Sequence, residues 1–375
     1  MARAMIDLPL RRLYSAVRSG EDALRRVHAS HSLKRKVDKN LASLHRGLPA
    51  SAFSFDLEPA REFLSTRFHG YRDIRWHLMY WAATNRHALE YVPEDLFYVW
   101  IHPQLNPPER VVPYRDKNHA EFLGVAPAPE AYARVIRGRL VAADRRSRPR
   151  NVLLGRIAEA PDVVLKPARS ARQGLGIRRG PGAEIAELLD TPGDPTAIGD
   201  WVVQAAIPQH PSIACLNPSS LNTFRVLTLR IDKGIQVLST VLRVGRAGAV
   251  VDNMSAGGVG VNVSADGALA NTAYLVSTMP TLHHPDHGFS FGTARVPATD
   301  QLHDACRAAH DAIPELDLVA WDAAIRPDGT AVLLEANVAE PGISIHQLCT
   351  GPLFGAWTDH VVTPRRVRML GPWLR

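Results

Sequence analysis

The chain has 375 residues, 46% of them hydrophobic, which is room for two or three domains with real cores. Its three cysteines, Cys215, Cys306 and Cys349, lie far apart without C-x-x-C spacing, which implies neither a disulfide framework nor a zinc site and fits a reducing compartment. The net charge is +7, and residues 1–50 carry that surplus, with eleven Lys/Arg against four Asp/Glu.

The basic N-terminus reads first as a solvated face on amphipathic helices. An acidic partner, anionic lipid or nucleic acid is the alternative use of such an arm. No recognition motif or aromatic interleaving supports nucleic acid, so none is expected. No run of about 18 apolar residues and no signal-peptide core is found, so a cytoplasmic protein without a transmembrane segment is expected.

In chain order, Leu10, Leu13, Tyr14 and Val17, then Leu24 and Val27, then Val37, Leu41 and Leu44 recur at helical spacing. Residues 56–101 are again mainly helical and rich in aromatics (Trp76, Tyr80, Trp81, Phe97, Tyr98, Trp100), which a core explains without any ligand. Prolines 103, 107, 108 and 113 then mark a boundary. The expected organisation is a helical N-terminal domain over 1–110, a linker and smaller α+β lobe over 111–210, a larger lobe over 211–350, and a tail over 351–375.

Beyond 111 the texture is α+β. Arg145–Arg150 reads as an exposed loop. The chain has six lysines against thirty-eight arginines, so the lysines stand out. Lys117 is one. Lys166 ends the apolar run Val163-Val164-Leu165-Lys166-Pro167, before a small-residue loop from Ser170 through Gly174 and Gly176. A strand ending in Lys and followed by a Gly loop can wrap phosphates, with backbone N–H groups donating and the ammonium acting as a point charge. An ordinary turn is the plain alternative. A Walker loop is excluded because no Gly-Lys dipeptide occurs, and no G-x-G-x-x-G fingerprint is present.

Trp201–Pro208 is the next apolar strand, with Val203, Gln204 and Ile207 in it. Leu221–Arg230 and Leu238–Val244 follow, with Arg225 and Arg243 inside apolar runs where an unpaired guanidinium is costly. Each needs an anion, either a structural carboxylate or a bound phosphate. Next come Val251–Val259 with Asn253, Gly257 and Gly258, and a loop, His283-His284-Pro285-Asp286-His287-Gly288, that reads as a substrate-side or plain loop rather than a metal site.

Ala320–Ile325 and Ala331–Pro341 flank the turn Arg326-Pro327-Asp328-Gly329-Thr330, the signature of a β-hairpin. Glu335 and Asn337 share a strand face, and Asp322 lies opposite 335 if the loop closes midway. Three hard oxygen ligands on one surface suit Mg²⁺ completed by phosphate oxygens; a solvent-facing polar edge is the alternative. His346, after this strand, reads either as a substrate contact or as a surface histidine.

The succession Lys117, Lys166 with its Gly loop, the Gln204 strand, Asn222-Thr223-Phe224-Arg225, Arg243, Asn253 with Gly257-Gly258, and Asp322…Glu335-x-Asn337 resembles the ATP-grasp superfamily. It is most similar to the sugar-transfer-associated ATP-grasp family, akin to the glutamate-ligase and glutathione-synthetase group. The resemblance covers about 110–350. It implies an α+β ATP-grasp fold, two lobes gripping ATP, preceded by helices.

By that resemblance Lys117 and Lys166 hold the α- and β-phosphates under the loop Ser170–Gly176. Val203, Gln204 and Ile207 form the hinge that reads adenine, with Gln204 where many relatives carry Glu. Arg225 and Arg243 face the γ-phosphate with Asn253 beside them, and Asp322, Glu335 and Asn337 ligate Mg²⁺. A His-Pro-Asp segment also occurs in relatives, before a strand at Arg295-Val296-Pro297. The implied activity is an ADP-forming ligase joining a carboxylate to an amine or other nucleophile through an acyl phosphate, with a small-molecule kinase as the alternative. Amino acid, peptide and sugar derivative are all open as substrates. A non-catalytic nucleotide-binding module is a third reading, disfavoured by the intact acidic trio and both lysines.

Overall fold

The helical spacing near the N-terminus forms one helix, Ala2–Gly47. The structure, a computed structural model, describes residues 2–68, 70–120, 128–169, 176–191, 199–249, 252 and 257–363, with only the backbone at 2–24 and 120. Two compact units are distinguished: the first 104 residues with the chain from Val361, and Leu105–His360.

In the first unit the helices Ala2–Gly47, Glu58–Arg67 and Arg75–Thr84 enclose Leu44, Leu64, Trp76, Met79, Tyr80, Tyr91 and Phe97, each 0% exposed. Of the aromatics of 56–101, Trp76, Tyr80, Trp81 and Phe97 are thus core, with Tyr80 and Tyr91 stacked at 4.7 Å, whereas Tyr98 and Trp100 are half-buried. Two buried acids bind this core to the long helix. Glu94 accepts from Lys36 Nζ at 2.7 Å, and Asp95, which also accepts from Tyr71 Oη at 2.7 Å, lies 3.8 Å from Lys34 Nζ. Buried acids left without such donors cost several kcal/mol each.

The second unit contains two antiparallel sheets. The smaller has the order β2-β1-β5-β3-β4, from β1 (Ala131–Ile136), β2 (Arg139–Ala142), β3 (Val163–Pro167), β4 (Arg178–Gly180) and β5 (Trp201–Ala205). Its apolar face packs Ala133, Val163, Leu165 and Val203 against Ile157 of the helix Arg150–Ala158 and Ile185 of the helix Gly182–Asp190. Only glycine fits at 182: a Cβ there would lie 1.9 Å from the Ile157 carbonyl oxygen.

The larger sheet has the order β10-β9-β8-β7-β6-β11-β12. Its strands are β6 (Phe224–Ile231), β7 (Gly234–Val244), β8 (Val259–Val263), β9 (Leu269–Leu275), β10 (Pro280–Thr281), β11 (Leu318–Ile325) and β12 (Ala331–Asn337). One face packs Phe224, Val226, Trp321 and Ala323 against Leu302 and Cys306 of the helix Thr299–Asp311. The helix Ile343–Thr350 lies on the other face, where a Cβ at Gly260 of β8 would meet Ile345 Cδ1 at 2.6 Å.

The strand expected at Arg295-Val296-Pro297 does not form. Arg295 makes only an isolated bridge to Ala268, and Pro297 has no N–H with which to extend a ladder.

Two crossings join the sheets, and each is fixed at both ends. On the first, the Asn106 carboxamide, 1% exposed, donates to the carbonyls of Leu318 (2.6 Å) and Val338 (2.8 Å) and accepts from Leu318 N (3.0 Å). Farther along, Tyr114 Oη donates to Glu315, and Lys117 N donates at 2.7 Å to the carbonyl of Ala168, the residue that follows β3 of the smaller sheet. On the second, Ala206 N donates to Asp162 O at 3.1 Å and His210 N to Ile325 O at 2.9 Å.

Candidate active site

β11 and β12 form the expected hairpin, with Asp322 paired to Glu335 and Ala320 to Asn337. The register then slips: the next pair is Ala323 with Leu333, so Leu334 is an extra residue. This bulge separates neighbours that simple alternation would put on one face. Leu333 joins the apolar core beside Ala323, while Glu335 and Asn337 turn to the face carrying Asp322. Lys166 Nζ donates to the Leu334 carbonyl at 3.4 Å.

Asp322 is also paired with Arg225 of β6, whose Nε and Nη2 donate to its two oxygens at 2.8 and 2.9 Å. Arg243 Nη2 approaches the same carboxylate at 3.2 Å. Burial pushes the Asp322 carboxyl up, but the charges of Arg225 and Arg243, with hydrogen bonds from Arg225 and Asn337, outweigh it and hold it well below the usual carboxylate range. The glycine at 342 leaves room for this arrangement, since a Cβ there would stand 2.9 Å from Arg225 Nη1.

Arg243 has a second acid. Its Nε lies 3.4 Å from Asp252 Oδ2 and donates to Thr223 Oγ1 at 3.1 Å. Asp252 in turn accepts from Thr223 N at 2.9 Å and from Thr223 Oγ1. Burial raises the Asp252 carboxyl, opposed by Arg243 and by the Thr223 hydrogen bonds. Reading by composition passed over Asp252 in favour of Asn253; the signal available was a lone acid in an apolar and glycine-rich stretch.

Lys117 Nζ meets Glu335 Oε1 at 2.9 Å. Within the smaller sheet, alternation places Lys166, Val202 and Gln204 on the face away from the helices, with Gln204 2% exposed. Val203 points into the small core and Ile207 follows the end of β5. Gly176 is in the left-handed region (φ 86°), where glycine is favoured. The structure therefore brings Lys117, Lys166, Arg225, Arg243, Asp322, Glu335 and Asn337 to one region. Ser170, Gly174 and Asn253 lie outside the described residues.

His346 is not a surface histidine. It is 0% exposed, its Nδ1 lies 2.6 Å from Ser239 Oγ, and burial pushes its pKa down to about 3, so the ring is neutral. The His283–Gly288 loop is a brace: Asp286 accepts from Arg246 Nε at 2.8 Å and from Ala247 N at 2.7 Å, and His284 Nε2 lies 2.8 Å from Gly245 O. Among the described residues no group of three or more His, Cys, Asp or Glu gathers as a metal site. The set at β11–β12 is two carboxylates and an amide, all hard oxygen donors. That suits Mg²⁺ when phosphate oxygens complete the shell.

Residues 188–360 match the family model described as sugar-transfer associated ATP-grasp. No curated protein matches. Among solved structures, the ATP-grasp ligase PsnB complexed with precursor peptide PsnA2 and AMPPNP is 14% identical, covering 70% of this chain and 62% of that chain, with a TM-score of 0.40. The D-cycloserine synthetase DcsG is 16% identical, covering 72% and 74%, with a TM-score of 0.39. The L-amino acid ligase from Bacillus licheniformis is 14% identical, covering 67% and 48%, with a TM-score of 0.36. The chain thus spans less than two thirds of the PsnB and Bacillus licheniformis chains, and likenesses of this size add nothing to the family match. The region similar to the sugar-transfer-associated ATP-grasp family thus takes in the paired arginines and the acidic hairpin but less than half of the chain, and the two lysines stand ahead of it.

Proposed function

We propose that the protein is an ATP-dependent, ADP-forming ligase that activates a carboxylate as an acyl phosphate and passes the acyl group to an amine or related nucleophile. The observation that supports it best is the meeting of four cations with two carboxylates and an amide on one hairpin. Lys117 and Lys166 reach β12, while Arg225 and Arg243 share Asp322. Such a surface is matched to a polyphosphate whose charge shifts during transfer, where positioning and neutralisation matter more than covalent help.

In this reading a substrate carboxylate oxygen attacks the γ-phosphorus and the bond to the ADP oxygen breaks. The nucleophile then attacks the acyl carbon, phosphate leaves and the amine proton passes to solvent. Arg225 and Arg243 neutralise the transferring group, Lys117 and Lys166 the α- and β-phosphates, and the hinge segment from Val203, through its backbone, with Gln204 and Ile207 reads the adenine. Ser170, Gly174, Gly176 and Asn253 complete the phosphate side. Asp322, Glu335 and Asn337 would hold Mg²⁺, which when bound supplies charge neutralisation on the phosphates. Peptides, amino acids and sugar derivatives are the substrate classes to screen, and the cytoplasm is the proposed compartment.

The test is ADP release over pairs of acids and amines, with hydroxylamine as trap. A hydroxamate formed with ADP supports the acyl phosphate. A stable phosphorylated product without hydroxamate replaces the ligase by a small-molecule kinase on the same fold.

A further inference from the structure

The two arginines are held differently. Both hydrogen bonds from Arg225 to an acid go to Asp322. Arg243 touches Asp322 through Nη2 alone, and its Nε side is held by Thr223 and Asp252. Asp252 is 7% exposed, and its Oδ2 is surrounded by donors: Thr223 N, Thr223 Oγ1 and the guanidinium. Thr223 and Arg243 are further joined through the backbone, Arg243 N donating to Thr223 O at 2.8 Å. A carboxylate drawn toward a cation gives up its arginines. On these contacts Arg225 is then released, whereas Arg243 keeps Thr223, to which both Nε and Nη2 donate, and Asp252.

We infer that Asp252 is a positioning residue which, through Thr223, fixes Arg243 in place, so that Asp322 can exchange its arginines for a cation without Arg243 leaving the site. This rests on the reading of the site as one for ATP. It divides the labour: Arg225 is the mobile guanidinium and Arg243 the stationary one, aimed before nucleotide arrives. A preset donor needs no reorganisation when charge develops beside it.

The experiment compares AMPPNP and ADP binding, each with Mg²⁺, by calorimetry on the full chain. The ratio of the two affinities reports the contact to the γ-phosphate and cancels general damage to the site. Arg243→Met and Asp252→Asn should each lower the AMPPNP preference about tenfold while ADP affinity stays within about twofold. Combined, they should lower it no further than Arg243→Met alone. Thr223→Val should act like Asp252→Asn, and Thr223→Ser should restore the preference. The threonine pair carries the test if Asp252→Asn does not fold by circular dichroism.

An Asp252→Asn protein that keeps the wild-type preference while Arg243→Met loses it overturns the inference and leaves the ATP site standing. Equal losses for ADP and AMPPNP in Asp252→Asn also overturn it, since the acid is then merely structural. Wild-type protein that binds neither nucleotide overturns the ATP site and the inference together.

Discussion

Replacing Asp322 by Asn keeps the side chain's shape and removes the charge that receives Arg225 at 2.8 and 2.9 Å and Arg243 at 3.2 Å. The three side chains are 12–15% exposed, so water screens the pairs only in part. Taking one partner from a fully buried pair costs about 3–5 kcal/mol, and here Arg243 retains Asp252, so about 2–3 kcal/mol is expected. For a unit of this size that is a fall in melting temperature on the order of 5–10 °C. Thermal unfolding followed by tryptophan fluorescence reads it, since Trp321 precedes the substituted residue and is 2% exposed.

The pH dependence gives a second reading of the same loss. The folded Asp322 carboxyl sits below its unfolded value, near 3.9, so its stabilisation is present above about pH 4 and is lost as pH falls through the folded pKa. The gap between wild type and variant should therefore be level from about pH 5 to 8 and narrow below about pH 4. A variant that melts with the wild type at pH 7, or a gap that widens in acid, refutes the shared-carboxylate arrangement.

Other outcomes follow from the same geometry. His310 is 0% exposed and burial pushes its pKa down to about 4, so its stabilisation is present above the unfolded value near 6.5 and lost as pH falls toward 4. Urea unfolding of His310→Gln should therefore lose stability less steeply than wild type over that window, and identical slopes would remove His310 from the account. Gly182→Ala should cost about 3 kcal/mol or more, because the new Cβ meets backbone rather than a movable side chain; an unchanged urea midpoint would mean the two helices do not approach as described. Glu335→Ala should abolish turnover with the fold retained, and unaltered ADP production there would exclude it as a metal ligand. Lys166→Ala should weaken AMPPNP about tenfold by calorimetry, and wild-type affinity would count against its phosphate role.

The hairpin was legible because a Pro-Asp-Gly turn between two apolar runs leaves the chain few other options, and it also sets Asp322 against Glu335. The bulge at Leu334 was not. Alternation groups Leu333 with Glu335, and only the neighbouring strand and the core beneath decide that one residue must be skipped. Likewise the strands show that Arg225 and Arg243 need anions, but the acid that serves both lies 97 and 79 positions away, on a strand whose pairing with β6 no local pattern reveals. The two readings of His346 are inseparable in the sequence because its burial depends on its helix docking on strands distant in the chain, with Ser239 beside His346 and Gly260 leaving room for Ile345.

The fastenings on the two crossings between the sheets have a mechanical consequence. Asn106 and Tyr114 anchor the first crossing to the larger sheet, and Lys117 N already belongs to the smaller. On the second, Ala206 is tied to the smaller sheet and His210 to the larger. Rotation of one sheet against the other is thus confined to about one residue around Arg115 and to Ile207–Pro208, short pivots of the kind that absorb backbone torsion in closing enzymes. Stiffening either pivot would restrict that rotation without altering a single group of the site.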